Sequence, residues 1–111
     1  MKYFVNYEEW KALGGTNYFE FQQGRFKNKF WLENSICIHM DVFDQLLLDD
    51  LFYFSLGAFD YFGETDINKE HWQKIVEKSK ENELWQIAVE EMTPWVEKCF
   101  VRHKYFSIVG V

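Results

Sequence analysis

The sequence predicts an α+β domain in which helices pack on one face of a mostly antiparallel sheet, itself made of an N-terminal hairpin, a third strand and a C-terminal strand. Three observations predict it. Apolar and polar residues alternate early in the chain, apolar residues recur at spacings of three and four through its middle, and a β-branched and aromatic run stands at its end. With 111 residues, 48% of them hydrophobic, there is room for one domain over residues 1–111. A chain of this size hides roughly 65% of the surface that its unfolded form exposes, so its core needs neither disulfides nor a metal. Composition excludes disorder, because 12 Phe, 5 Trp and 6 Tyr stand against a single Pro.

Asn6 ahead of Glu8, Glu9, Trp10 and Leu13, with Gly14 and Gly15 behind, predicts a short capped helix stopped by glycine. From Thr16 the period falls to two. Phe19 and Phe21 alternate with Glu20 and Gln22; after Gly24, Phe26, Phe30 and Leu32 stand opposite Lys27, Lys29 and Trp31, which predicts a hairpin. Residues 35–40 read as a third strand, with Ile36, Ile38 and Met40 on one face and Cys37 and His39 on the other. Over residues 41–54, Phe43, Leu47, Leu51 and Phe54 line one side of a helix, with Asp44 and Asp49 off that line. Ser55, Gly57, Asp60, Gly63 and Glu64 then mark a loop.

Asn68 is the predicted cap of the next helix, with Glu70 in its first turn and Ile67 stapled against Trp72. Trp72, Ile75, Val76 and Ser79 form its inner face, opposite Lys74, Glu77, Lys78 and Glu81. A helix over residues 83–92 is expected to end where Thr93 and Pro94 restart the chain in a new direction. Trp95, Cys99 and Phe100 mark the apolar side of the last helix. Residues 105–109 predict a closing strand, which must insert into the sheet to be ordered.

Charge is unevenly placed. The formal net charge is -6, yet between Lys29 and Lys69 there is no Lys or Arg, while Glu33, Asp41, Asp44, Asp49, Asp50, Asp60, Glu64 and Asp66 all fall in that gap. Such a field disfavours nucleic acid and anionic membrane and steers a basic partner into encounter. The alternative is a solvated acidic face kept for solubility. Phe52, Tyr53, Phe54, Phe59, Tyr61 and Phe62 crowd the same segment, more rings than one small core buries easily, so one or two are expected at the surface beside the acids. Asp44, Asp49, Asp50, Asp60, Tyr61, Glu64 and Asp66 are therefore the candidate partner-binding residues.

No catalytic motif is present. Cys37 with His39 and Cys99 with His103 together have the donor set of a tetrahedral zinc site, but a Cys-x-His spacing is not a usual zinc pattern and Cys99 falls on an apolar helix side. The expectation is no zinc site and no cofactor. Nothing local poises either thiol as a nucleophile, and the glycines sit at turn positions rather than in a phosphate loop. The N-terminus lacks the long apolar core of an export signal, no apolar stretch reaches the ~20 residues of a membrane span, and two cysteines suit a reducing cytoplasm.

The stretch from Phe59 through Gly63, Asp66, Asn68 and Trp72 to Ile75, followed by Pro94 with Trp95, Cys99 with Phe100, and the ending Phe106 to Gly110, resembles small bacterial immunity proteins of polymorphic or contact-dependent toxin systems. The resemblance covers the second half of the chain and its motifs are structural, so it brings no catalytic residues. It implies a small, acidic, cytoplasmic, non-enzymatic protein that binds and blocks a cognate toxin domain such as a nuclease. An adaptor with a non-toxin partner, or a small metal- or thiol-dependent enzyme, are the alternative readings.

Overall fold

Phe19 and Phe21 alternating with Glu20 and Gln22 demand a strand with two unlike faces, and the computed structural model, which describes residues 1–111, shows what each face meets. The chain runs β1 (Phe4–Asn6), α1 (Tyr7–Leu13), β2 (Tyr18–Gln23), β3 (Ile36–His39), α2 (Met40–Gln45), α3 (Leu48–Leu56), β4 (Glu64–Asn68), α4 (Lys69–Ser79), α5 (Glu83–Arg102) and β5 (Tyr105–Val109). These strands form one five-stranded antiparallel sheet in the order β1-β3-β2-β5-β4. The fold is α+β, as the patterning predicts. β5 does insert, lying between β2 and β4.

The register places Ile38 between Phe4 and Phe19, Phe21 between Ile36 and Ile108, and Ile67 beside Phe106. These side chains share one core of 21 buried residues with Phe43, Leu51, Phe52, Trp72, Ile75, Met92 and Val96, so α2 to α5 all close on this face. Rings dominate the contact: Phe19 stacks on Phe43 and Phe21 meets Phe4 edge-on. The predicted α4 cap is in place, with Asn68 accepting from the His71 N–H at 2.8 Å and the His71 ring accepting from the Asn68 N–H at 3.2 Å. Asn6 caps α1 in the same reciprocal way with Glu9.

The opposite face carries Glu20 level with Cys37 and Val109, and Gln22 level with Ser107, which is itself level with Asp66. No helix of the core packs there. Residues 24–34 cross it instead, and this corrects the expected hairpin: β2 is its first arm, but the expected return arm through Phe26, Phe30 and Leu32 forms no strand. The cause is Glu20, which is 1% exposed. Its carboxylate accepts from the N–H groups of Trp31 (2.7 Å) and Leu32 (2.8 Å), from the Ser35 hydroxyl (2.6 Å) and from the Gln22 amide (2.9 Å). Gln22 also donates to the Lys29 carbonyl. Gly24, Asn28 and Trp31 adopt positive φ, which breaks the extended conformation a strand needs. Trp31 then stacks on Trp10 of α1 at 4.2 Å, so α1 braces this cover rather than the core.

Three other expectations are corrected. The helix expected over residues 41–54 is two helices, because Leu47 sits in the left-handed region (φ 54°) and its carbonyl accepts from the Trp85 indole at 3.1 Å. Residues 64–68, expected to begin within a loop, are edge strand β4, and the opposite edge is β1, too short to show a period of two. Pro94 restarts nothing: α5 passes through it as one 20-residue helix. Pro94 and Glu90 are both exposed, so the carbonyl that proline leaves without a donor is on the solvent side of the helix rather than sealed in the core. None of the helices is long and apolar enough to cross a membrane.

Candidate functional site

Tyr61 ties the acidic segment to the core. Its ring meets Phe19 edge-on at 4.9 Å, within the core, and its hydroxyl donates to Asp44 Oδ1 at 2.8 Å. Burial, the hydrogen bond to Asp44, and the charges of Asp44, Asp49 and Asp41 push its phenol up to about 12. Asp44 at the end of α2, Asp49 at the start of α3 and Tyr61 in the connection to β4 thus form one group, because the left-handed Leu47 folds the two helices back beside each other.

Phe62 continues this surface outward. Its ring packs edge-on against Tyr61 at 5.0 Å, yet 79% of its surface is exposed. The turn that presents it is held locally: Asp60 Oδ1 accepts from the Phe62 N–H at 3.1 Å, and the Asp60 N–H donates to Thr65 Oγ1 at 3.2 Å. From below it is held by Gly110, whose N–H donates to the Gly63 carbonyl at 2.6 Å. A Cβ at Gly110 would collide with the Tyr61 carbonyl, so only glycine lets the two backbones pass this closely. Beside Phe62 opens a depression of about 550 Å³ lined by Phe26, Phe30, Asp60, Gly63, Glu64 and Val111, among others. The exposed rings are thus flanked by two carboxylates, of which Glu64 has no protein partner.

Six of the seven predicted residues, Asp44, Asp49, Asp60, Tyr61, Glu64 and Asp66, follow one another along this stretch. Asp50 makes no hydrogen bond or ion pair linking it to the group. Asp66 is on the same face of β4 as Glu64, lines a depression with Asp60 and Glu64, and lies 3.8 Å from Arg25. Arg25 in turn lies over the Tyr105 ring at 4.2 Å. The expectation that one or two of six crowded rings reach the surface falls short: Tyr53, Phe54 and Phe62 are all exposed, Phe54 with Lys78 over its ring. Phe26 and Phe30, read as an inner hairpin face, belong to the candidate surface and are additions to it. No sequence signal marked them, since strand alternation alone sends Glu20, the residue that builds their loop, to solvent.

The cysteines and histidines are engaged separately. Cys37 is buried beneath the loop, where burial and the neighbouring Glu20 charge push its thiol up to about 12. Cys99 Sγ donates to the Tyr105 carbonyl at 3.4 Å, and burial raises its pKa as well. His39 accepts from the Asp41 N–H at the start of α2, and the His103 ring backs on Gly24. No group of three or more His, Cys, Asp or Glu side chains is placed to hold a metal ion. Compared with protein-family models, with curated proteins and with solved structures, the chain matches none.

Proposed function

We propose that this protein is a non-enzymatic inhibitor of the immunity type, which binds a cognate toxin domain with a basic surface and blocks it by occlusion. The observation that carries the reading is Phe62, 79% exposed at the centre of a stretch bearing Asp44, Tyr61, Asp60 and Glu64. A large exposed ring next to apolar neighbours supplies contact area, and the carboxylates around it supply steering toward Lys and Arg. The same charge disfavours a nucleic-acid ligand.

The experiment pairs the protein with the toxin encoded beside its gene, and measures association rate and rescue of growth. Asp44→Lys, Asp60→Lys and Glu64→Lys, singly and together, are expected to slow association and flatten its salt dependence. Phe62→Ala is expected to speed dissociation, at a cost of about 2 kcal/mol or more if the ring is an anchor. A triple reversal that folds normally, binds as fast as the parent and still protects removes the reading, leaving the acids as a solubility face.

A further inference from the structure

Glu20 is the only charged residue among the buried ones. A buried carboxylate ordinarily finds a cation, because taking an unpaired charge out of water is costly. Glu20 has none: its four donors are two backbone N–H groups, a hydroxyl and an amide, and no Lys, Arg or His of the chain forms an ion pair with it. The oxygens are fully hydrogen-bonded, so what Glu20 presents to its surroundings is net negative charge in a low-dielectric setting.

A depression of about 390 Å³ opens beside it, lined by Glu20 with the rings of Tyr18, Phe30 and Trp31 and with Val109 and Val111. No Lys, Arg or His lines it. Its volume lies at the low end for ligand pockets and suits one long side chain better than a cofactor. Phe30, 57% exposed, is shared with the neighbouring depression that holds Phe62, Asp60 and Glu64.

We infer that this depression receives an arginine or lysine side chain of a partner protein, its aliphatic stem lying along Val109 and Val111 and its cation against the aromatic walls within the field of Glu20. Aromatic faces attract cations, and the stems of Arg and Lys bury readily on apolar walls. An anionic group would meet an uncompensated carboxylate, and a purely apolar one would leave that charge unanswered. The inference rests on the inhibitor reading only for the source of the side chain; the pocket chemistry stands without it.

Nα-acetyl-arginine methylamide, with the neutral Nα-acetyl-norleucine methylamide as control, is titrated into isotope-labelled protein while the Trp31 and Leu32 amides, which report on Glu20 directly, are followed by NMR. The arginine probe is expected to shift Trp31, Leu32 and Val111 in the millimolar range that so few contact atoms allow. The norleucine probe should bind at least about fivefold more weakly, and Phe30→Ala should weaken the arginine probe about fivefold, the loss of one cation–π wall. Glu20 fastens the loop that carries Phe30 and Trp31, so its substitution would remove the walls together with the charge, and the exposed Phe30→Ala is the variant used. Equal shifts from both probes, shifts confined to Asp60 and Glu64, or no shifts at all overturn the inference. Because no toxin enters the titration, its failure leaves the Asp44, Asp60 and Glu64 experiment standing, and the converse also holds.

Discussion

The two faces of the sheet are closed by different physics. Beneath α2 to α5, Phe19, Phe21, Phe106 and their neighbours are held by non-directional apolar packing in one continuous core. On the other face the Glu20 carboxylate and the Gln22 amide hold residues 24–34 through a few directional bonds, with three residues at positive φ. Packing of the first kind stabilises the whole molecule, because its loss leaves a cavity that many residues line. Bonding of the second kind stabilises mainly the segment it touches, and its strength depends on geometry. The helix-covered face is therefore expected to be the global support, and the loop-covered face the part that opens first.

The largest effect that tests this contrast is a truncation on the helix side. Trp72→Ala or Phe21→Ala is expected to cost about 3–5 kcal/mol, the range for a buried large aromatic. Denaturant unfolding measures it, and amide exchange should accelerate in every element. Glu20→Gln comes next, at about 2–3 kcal/mol, because an amide presents a donor where two backbone N–H groups need an acceptor. Exchange should then rise mainly in residues 24–34. Uniform acceleration across α4 and α5 would show that the two faces are not separable.

A third test uses pH. The folded state keeps the Cys37 thiol protonated up to about 12, while the unfolded chain loses that proton near the ordinary value of 9.0. The unfolded state therefore binds fewer protons in that window, and stability falls as pH rises from 9.0 toward 12. The share due to Cys37 approaches about 1.4 kcal/mol per pH unit. Cys37→Ala should make the alkaline fall shallower, and a slope identical to the parent's would mean that the loop does not shield the thiol. The smallest effect belongs to Leu47, whose left-handed backbone costs a leucine roughly 1 kcal/mol. Leu47→Gly is expected to raise stability by ~0.5 kcal/mol once the greater freedom of unfolded glycine is offset, as read from the melting midpoint.

Where the sequence could be read, the determinants were local. Asn68 and Trp72 carry α4, and the run 105–109 carries β5, because caps and periodicity act within a few residues. What escaped was set by distant partners. Nothing near Glu20 in the chain announces that Trp31, Leu32 and Ser35 will converge on it, so the alternation after Gly24 imitates a strand. Leu47 breaks the helix over 41–54 in a conformation braced by Trp85, which lies on α5. Pro94 reads as a boundary only while the exposure of Glu90 and Pro94 is unknown. In the candidate surface, the acids stand out in the sequence by their spacing and Tyr61 by the crowding of rings beside them. Phe26 and Phe30 were not, because their exposure follows from the loop that Glu20 builds.

The place of β5 has a consequence for the order in which the molecule can assemble. β1, β3 and β2 form one half of the sheet and β4 the other, and the only strand touching both is the last one in the chain. On the ribosome, the aromatic half-core on β2 and the α3–α4 layer are both made before the strand that joins them. Until residues 105–109 emerge, Phe21 lacks Ile108 and Ile67 lacks Phe106, so both halves hold exposed apolar surface. Closure of the sheet is then expected to wait for β5, whose pairing with β2 joins residues far apart in sequence. A truncated product ending before Tyr105 is expected to be a chaperone client rather than a weaker version of the same protein.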